Sequence, residues 1–474
     1  MLMRMMYDEK LAQAAYLIGC QRSRQAIVFD PLRDVDRAVD LAAAHGLKIV
    51  AVAETHIHAD FVSGARELAE RNGAHVYVSG EGGPDWQSRW LNARPSGGAY
   101  EHTILRDGDA FTLGGIEFTA LHTPGHTPEH IVYLVTDRGG GADEPVGLIS
   151  GDFLFVGDLG RPDLLETAAG QAGAMEPSAR TLYRTLARLD AIPDHVQVWP
   201  GHGAGSACGK ALGAVPTSTI GYERRFNAAL RAASSESDFV SFILEGQPEP
   251  PMYFATMKRV NRDGPRVLGS LPTPERLGPD RIAAMDPRAT AIIDTRSWGE
   301  FRKGHLPASL SFPLVNSFST DAGSMIRVDE PIVLIIEPEL LDGAIRDLVR
   351  IGLDRIIAWC PAPEIAASSY ASATIAQATV DRVKQGVGAD EAVLDVRRRT
   401  EFVEGRIPGA TNISHTRLMG RLDEVPRGRR LLINCRSGFR SARAAAFLQR
   451  AGYPVVNIEG GFLAWQGADA PIER

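Results

Sequence analysis

His56-Ile57-His58-Ala59-Asp60 sets two imidazoles and a carboxylate on alternate residues of one short segment. These side chains are the usual ligands of zinc and of non-haem iron, so the spacing points to a metal. Phe61, which follows, is apolar and ligates nothing. Further donors come in three later segments: His122-Thr-Pro-Gly-His126-Thr127, Gly151-Asp152 at the end of the strand-like run Val146 to Ser150, and Pro200-Gly201-His202-Gly203. A different chemistry sits near the far end. In Asn434-Cys435-Arg436-Ser437-Gly438-Phe439-Arg440-Ser441, a thiol lies between the strand Leu431 to Ile433 and a helix predicted over Ala442 to Ala451. A cysteine at the mouth of a helix meets free backbone N–H groups and the positive end of the macrodipole. Arg436 and Arg440 add positive charge. Both effects favour thiolate and would stabilise a persulfide anion formed on it.

The elements that must position these groups change character along the chain. Its 474 residues suggest about three domains. Over residues 1–260, apolar strand candidates such as Gln25 to Phe29 and Ile49 to Val52 alternate with turns and with helices like Val35 to Ala44. The second half contains an internal repeat. Asp294-Thr-Arg296, Glu300-Phe301, Gly304 and Pro307 recur as Asp395-Val-Arg397, Glu401-Phe402, Gly405 and Pro408, each 101 residues later. In both copies strands alternate with helices, which implies a parallel α/β sheet. A stretch rich in Pro and Gly, 261–280, reads as a linker; the copies are expected over 281–372 and 373–474.

Composition excludes several classes. Hydrophobic residues make up 44% and charged ones 23%, as in ordinary soluble domains. A net charge of -7 without a basic run argues against nucleic acid as a partner. Met1 to Cys20 offers neither a signal-peptide core nor a membrane span, so no membrane association is expected. Cys20, Cys208, Cys360 and Cys435 are too scattered for a disulfide framework. A reducing, cytoplasmic compartment is expected, with any special cysteine being catalytic.

The metal-type segments, in this order, resemble those of the metallo-β-lactamase family, whose loop reads His-x-His-x-Asp-His; here Phe61 replaces the last histidine. The resemblance implies an αββα sandwich for the first domain. In hydrolases of the family the first two histidines serve one metal and the Asp-His pair a second, so the second site should be empty here. The first domain is similar to the persulfide dioxygenase branch, and the whole chain resembles persulfide dioxygenase–rhodanese fusions. That resemblance implies one Fe(II) per chain held by His56, His126 and Asp152, a two-histidine, one-carboxylate set with positions left for water, dioxygen and substrate. His58, Asp60 and His202 would then orient the ligands through hydrogen bonds. Phe61 departs from the branch, which keeps a histidine there. Arg161, in Gly160-Arg161-Pro162-Asp163, falls where the branch has Gly-Arg-x-Asp; it could hold a substrate carboxylate or fix the loop to Asp163. Cys208, two residues before Lys210 in a Gly-rich loop, could have a lowered pKa and carry sulfur, or be a buried small residue.

The last segment resembles the rhodanese active-site loop, with Cys435, Arg436 and Arg440 as catalytic residues. Six residues from Cys435 to Arg440 match sulfurtransferases; the related phosphatases carry one more. In the middle copy, aligning Gly352 on Gly452 puts the cysteine position at Ile335. With no thiol or basic cradle there, and Glu337 close by, that copy is expected to be an inactive, structural rhodanese domain. The expected fold is therefore α/β, a metallo-β-lactamase-type sandwich followed by two rhodanese-like domains.

The function implied is oxidation of a low-molecular-weight persulfide by O2 to sulfite, coupled to sulfur transfer among persulfide, sulfite and thiosulfate. The alternatives are a thioester hydrolase or lactonase of the glyoxalase II type fused to a sulfurtransferase, and a non-enzymatic sulfur carrier. The persulfide's carrier thiol, the direction of sulfur transfer and assembly into a homo-oligomer are left open.

Overall fold

Gln25-Ala-Ile-Val-Phe29 displays the logic of the first unit. Ile27 and Phe29 point to one side and Ala26 and Val28 to the other, yet all four are fully buried. A strand buried on both faces must be covered by two layers. In the computed structural model, which describes residues 1–167 and 170–474, this strand is third in a six-stranded sheet. The order is Leu2–Asp8, Gln13–Cys20, Gln25–Phe29, Lys48–Ala53, His75–Ser79 and His102–Leu105. A second six-stranded sheet runs Ser218–Thr219, Gln197–Pro200, Gly147–Gly151, Ile131–Thr136, Ile116–His122 and Ala110–Leu113.

Tyr16, Ile27 and Phe29 of the first sheet share one buried cluster with Phe118, Tyr133 and Trp199 of the second. Val28 and Val52 face the other way, onto Leu68 and Ala69 of the helix Ala65–Asn72. On the far side Leu148 and Val198 meet Leu182 and Phe239, from the helices Met175–Thr185 and Glu236–Leu244. The layers are αββα, as the resemblance implied. Fully burying one side chain of this size contributes about 1.5–3 kcal/mol, so the three apolar layers fix the strands whose ends carry the metal-type residues.

The chain divides into two compact units, Met1–Ser270 and Leu271–Arg474. The stretch 261–280 is not a free tether. Its first part belongs to the first unit: Asn261 ends up buried on the helix Tyr253–Asp263, and Arg66 donates to the Pro265 carbonyl at 2.8 Å. Its last part belongs to the second unit, where Glu275–Arg276 pairs with Ala358 and Trp359 as an edge strand.

The second unit contains two all-parallel five-stranded sheets of matching strand order. One runs Glu275–Arg276, Ile356–Pro361, Ile332–Ile336, Ala291–Asp294, Leu310–Ser311. The other runs Ala376–Ala378, Val455–Ile458, Arg430–Asn434, Glu391–Asp395, Thr411–Asn412. Strand register corrects the alignment of the copies by one residue. Asp294 pairs with Ile335, whereas its counterpart Asp395 pairs with Asn434. The position of Cys435 therefore falls on Ile336, not Ile335, because the helices that follow differ in length before Gly352 and Gly452. Neither residue is a thiol. The helix after Cys435 begins at Phe439, three residues earlier than its apolar pattern indicated, because Gly438 at φ +93° turns the chain straight into it.

Candidate functional site

Each metal-type residue of the first unit lies just beyond the C-terminal end of a strand. His56 to Asp60 follow Lys48–Ala53, His126 follows Ile116–His122, Asp152 follows Gly147–Gly151, and His202 follows Gln197–Pro200. His56, His126 and Asp152 are brought together, with one ligand atom from each within 4.8 Å of the others. His126 Nε2 stands 3.5 Å from Asp152 Oδ2.

Hydrogen bonds fix which nitrogen of each ring is available. His126 Nδ1 donates to the Arg161 carbonyl at 3.0 Å, leaving Nε2 with a lone pair. Thr55 Oγ1 donates to Asp30 Oδ2 at 2.8 Å and so accepts from His56 Nδ1 at 2.9 Å. Burial, then the neighbouring imidazoles, holds the His56 pKa well below the ordinary value; burial also lowers His126. Neutral imidazoles are the form that ligates a metal. Both carboxylate oxygens of Asp152 are buried without a hydrogen-bond partner. A buried carboxylate left bare is costly unless a cation completes it, so the donor set fits a metal ion.

His58 belongs to a different group. Its Nε2 lies 3.1 Å from Asp30 Oδ1 and 3.0 Å from Glu54 Oε2. Burial alone would lower its pKa, but the two carboxylates override this and raise it well above the ordinary value. Phe61 is fully buried and packs on the His58 ring at 4.4 Å. Asn261 secures the loop, donating to the carbonyls of His58 at 2.8 Å and Phe61 at 2.7 Å and accepting from Ser63 N at 2.9 Å. Asp30→Asn should therefore lower metal affinity by about ten- to a hundredfold, because His56 and His58 are both oriented through that carboxylate. Chelator competition measures it, and wild-type affinity would refute the orienting role.

Asp60 and His202 gather with Cys208, again with ligand atoms within 4.8 Å. His202 donates from Nδ1 to the Ala12 carbonyl at 3.1 Å, and its Nε2 lies 3.4 Å from Asp60 Oδ2 and 3.5 Å from Asp152 Oδ1. The idea of a lowered Cys208 pKa is corrected. Burial, then Asp60 and Asp152, pushes this thiol well above its usual range. Lys210 does not help, since its ammonium turns to the Phe242 ring and to the carbonyls of Phe242 and Glu245.

Arg161 takes the loop-fixing option. It pairs bidentately with Asp163 at 2.8 and 2.6 Å, donates to the carbonyls of Ala207 and Pro248, and is 1% exposed. Its own carbonyl orients His126. The adjoining Gly160 passes so close that an added Cβ would lie 1.7 Å from the Asp152 carbonyl oxygen. Gly160→Ala should cost about 3 kcal/mol and lose metal, read from Tm and metal content; a wild-type Tm with full metal content would refute it.

Sequence reasoning missed His130, Glu129 and Asp30. His130 Nε2 accepts from Asp152 N at 3.0 Å, and Glu129 accepts from Ile57 N at 2.9 Å. Asp30 accepts from Thr55 N at 2.7 Å. Asp30 is a single polar residue with no motif around it, whereas Glu129 and His130 directly follow the His122 to Thr127 segment, which was the available signal.

In the second unit Cys435 is buried between its strand and the helix Phe439–Arg450. Its Sγ accepts from Gly438 N at 3.1 Å and faces Ser441 Oγ at 3.3 Å. Asp395 and Arg397 form a buried pair beneath the loop, and Asn434 donates to Asp395 at 3.0 Å. Arg440 is bound bidentately by Glu401 at 2.6 and 2.7 Å, so its charge is compensated rather than free for the sulfur. Arg436 is exposed and lines a cavity of about 730 Å3. The helix Gly461–Gly467 closes the loop from behind: Phe462 N donates to the Cys435 carbonyl at 2.7 Å, and a Cβ on Gly461 would come within 2.3 Å of that oxygen. The middle copy keeps the buried Arg296–Asp294 pair but carries no thiol at the loop. Cys360, on the next strand, is buried, and burial followed by Glu364 pushes it up to about 11.

Residues 9–202 match the metallo-beta-lactamase superfamily, and residues 379–468 match the rhodanese-like domain. A solved metallo-beta-lactamase from Staphylococcus aureus subsp. aureus COL is 37% identical and superimposes with a TM-score of 0.67 over 76% of this chain and 98% of its own. The chain belongs to the metallo-β-lactamase superfamily. Its metallo-β-lactamase domain is N-terminal and is followed by a rhodanese-like domain. Within that superfamily it is similar to the mitochondrial persulfide dioxygenase ETHE1 of Bos taurus, 27% identical over 50% of this chain and 78% of that protein. It is also similar to the hydroxyacylglutathione hydrolase of Gloeobacter violaceus, 32% identical over 40% of this chain and 62% of that protein. Among the described residues, no helix is long and apolar enough to cross a membrane.

Proposed function

We propose that the first unit oxidises a low-molecular-weight persulfide with O2 at one Fe(II) held by His56, His126 and Asp152. The step RSSH + O2 + H2O gives RSH and sulfite with two protons. When bound, ferrous iron supplies O2 activation with open positions for substrate. The protein's part is to keep both imidazoles neutral and aimed, through Thr55, Asp30 and the Arg161 carbonyl, and to exclude water by burial. In the rhodanese-like domain, taken as residues 373–474, Cys435 would accept sulfane sulfur as a persulfide. Attack by sulfite on its outer sulfur would then release thiosulfate and regenerate the Cys435 thiolate. Residues 281–372 would be the copy without a thiol at its loop. The product of one site is thus a substrate of the other.

The observation that carries this reading is the gathering of His56, His126 and Asp152 into one set that His58 does not join. His58 is engaged by Asp30 and Glu54, and Phe61 fills the place of a further ligand. A second reading, a two-metal hydrolase, is favoured by the gathering of Asp60, His202 and Cys208 beside Asp152. Metal analysis of anaerobically purified protein, with O2 uptake on several persulfides, separates the two. About one iron per chain with O2 consumption is expected; two zincs with thioester hydrolysis would overturn the proposal.

A further inference from the structure

The middle copy, which has no thiol at its loop, grips the helix that carries the cysteine loop. Near the start of Phe439–Arg450, Arg443 Nε donates to Asp321 Oδ2 at 3.2 Å; Asp321 lies on the middle copy's helix Phe318–Met325. At the other end Arg450 pairs with Glu330 and donates to the carbonyls of Pro287 at 2.9 Å and Thr290 at 3.3 Å. Asp321, Glu330 and Arg443 are buried and Arg450 is half-buried. Burying such pairs adds little net stability, but it imposes geometry, because either charge left alone is costly.

Asp321 reaches further than the helix. Its Oδ1 stands 3.3 Å from His415 Nε2, and Ser317 Oγ donates to Oδ2 at 2.8 Å. His415 lines the cavity beside the cysteine loop, together with Arg436 and Arg440. This ring is 8% exposed, and its other nitrogen, Nδ1, is buried with no hydrogen-bond partner. A native buried polar atom without a partner asks for an explanation. A carboxylate on one ring nitrogen fixes the orientation of the other, as in other carboxylate–imidazole pairs.

We propose that Asp321 is a positioning residue of the sulfurtransferase centre: from the copy that has no cysteine at its loop, it holds His415 at the cavity wall and Arg443 near the start of the helix. It rests on the reading of Cys435 as the sulfur-carrying thiol. The centre is then built from both copies, which gives the middle one a role in turnover.

The test uses the full chain with thiosulfate as donor and cyanide as acceptor. Asp321→Asn should lower kcat per loaded Cys435 by about ten- to a hundredfold while O2 uptake on a persulfide stays at the wild-type rate. Counting persulfidated Cys435 by mass separates slower turnover from a smaller folded fraction, which a merely structural role would produce. Asp321→Glu keeps a charge for Arg443 but displaces the carboxylate, so it should also turn over slowly at an unchanged Tm. His415→Gln should be slow, and adding it to Asp321→Asn should lower the rate no further. Wild-type kcat in Asp321→Glu or His415→Gln, or fully multiplicative effects in the double variant, would overturn the proposal even if Asp321→Asn failed to fold. Cys435→Ser in parallel keeps the two readings apart: if it retains sulfur transfer, the Cys435 reading fails; if it abolishes transfer while the other variants run normally, only the Asp321 role fails.

Discussion

His126→Ala should abolish iron binding and lower O2 uptake by more than about a hundredfold, while thiosulfate sulfurtransfer continues at the wild-type rate. The first part follows from the donor set. Asp152 has two bare, buried oxygens, and His126 Nε2 is the group aimed at one of them from 3.5 Å. Alanine leaves His56 and Asp152 alone, too few protein ligands for tight binding of a divalent ion. The second part follows from the division of the chain into compact units at Ser270 and Leu271. The truncation should cost the first unit no more than about 3 kcal/mol, because the metal-free wild type already carries an uncompensated site there. Iron counting, O2 electrode traces and a thiosulfate assay on one preparation check all three statements. Full oxygenase activity in an iron-free, dizinc preparation would defeat the idea.

The second large effect is expected at Cys435. Cys435→Ser should lower thiosulfate formation by at least about a thousandfold, because a hydroxyl supplies neither a thiolate nor a sulfur that can carry a persulfide. The donors that face the sulfur, Gly438 N and Ser441 Oγ, would then face an oxygen that does no chemistry. Oxygen uptake should persist, and sulfite should accumulate as the end product. The middle copy cannot rescue the variant, since Ile335 and Ile336 occupy the equivalent stretch. Cys208 is a poor substitute too, with its thiol pushed up by burial, Asp60 and Asp152. Cys208→Ser should leave thiosulfate formation within about twofold of wild type. Sulfite and thiosulfate measured side by side for both single variants and the double variant decide the matter. Thiosulfate at the wild-type rate from Cys435→Ser, lost instead in Cys208→Ser, would move the sulfurtransferase site out of the last domain.

Much of the scaffold is legible in the chain. Runs such as Gln25 to Phe29 and Ile332 to Ile336 are apolar on both faces, which forces covered sheets, and the repeat announces two similar domains. The grouping of His56, His126 and Asp152 is what the resemblance to the persulfide dioxygenase branch implies, and each of the three follows a strand. What holds those groups is much less legible. Asp30 and Glu129 hold Thr55 and Ile57 from 25 and 72 residues away along the chain, so no local spacing marks them. Proximity along the chain misled for Cys208 and Lys210, because the backbone between them turns the ammonium toward Phe242 and Glu245. Arg440 looked like free positive charge beside a thiol, yet Glu401 lies 39 residues earlier and takes both of its nitrogens. The one-residue slip at Ile335 arose because a glycine in a helix–strand turn was taken as the anchor, whereas the ladder between strands sets the true register.

Asn261 has a consequence in time as well as in space. It closes the loop of His58 and Phe61 from 203 and 200 residues further along the chain. A ribosome adding about 5–20 residues per second takes roughly 10–40 s to cover that distance. Throughout this interval the growing chain already carries His56 and His58, and by residue 202 it carries His126, Asp152 and His202 as well, but the clasp from Asn261 is missing. Metal capture by a half-made chain should therefore be weaker than by the finished one, because the loop's last clasp is fitted only when the helix Tyr253–Asp263 arrives.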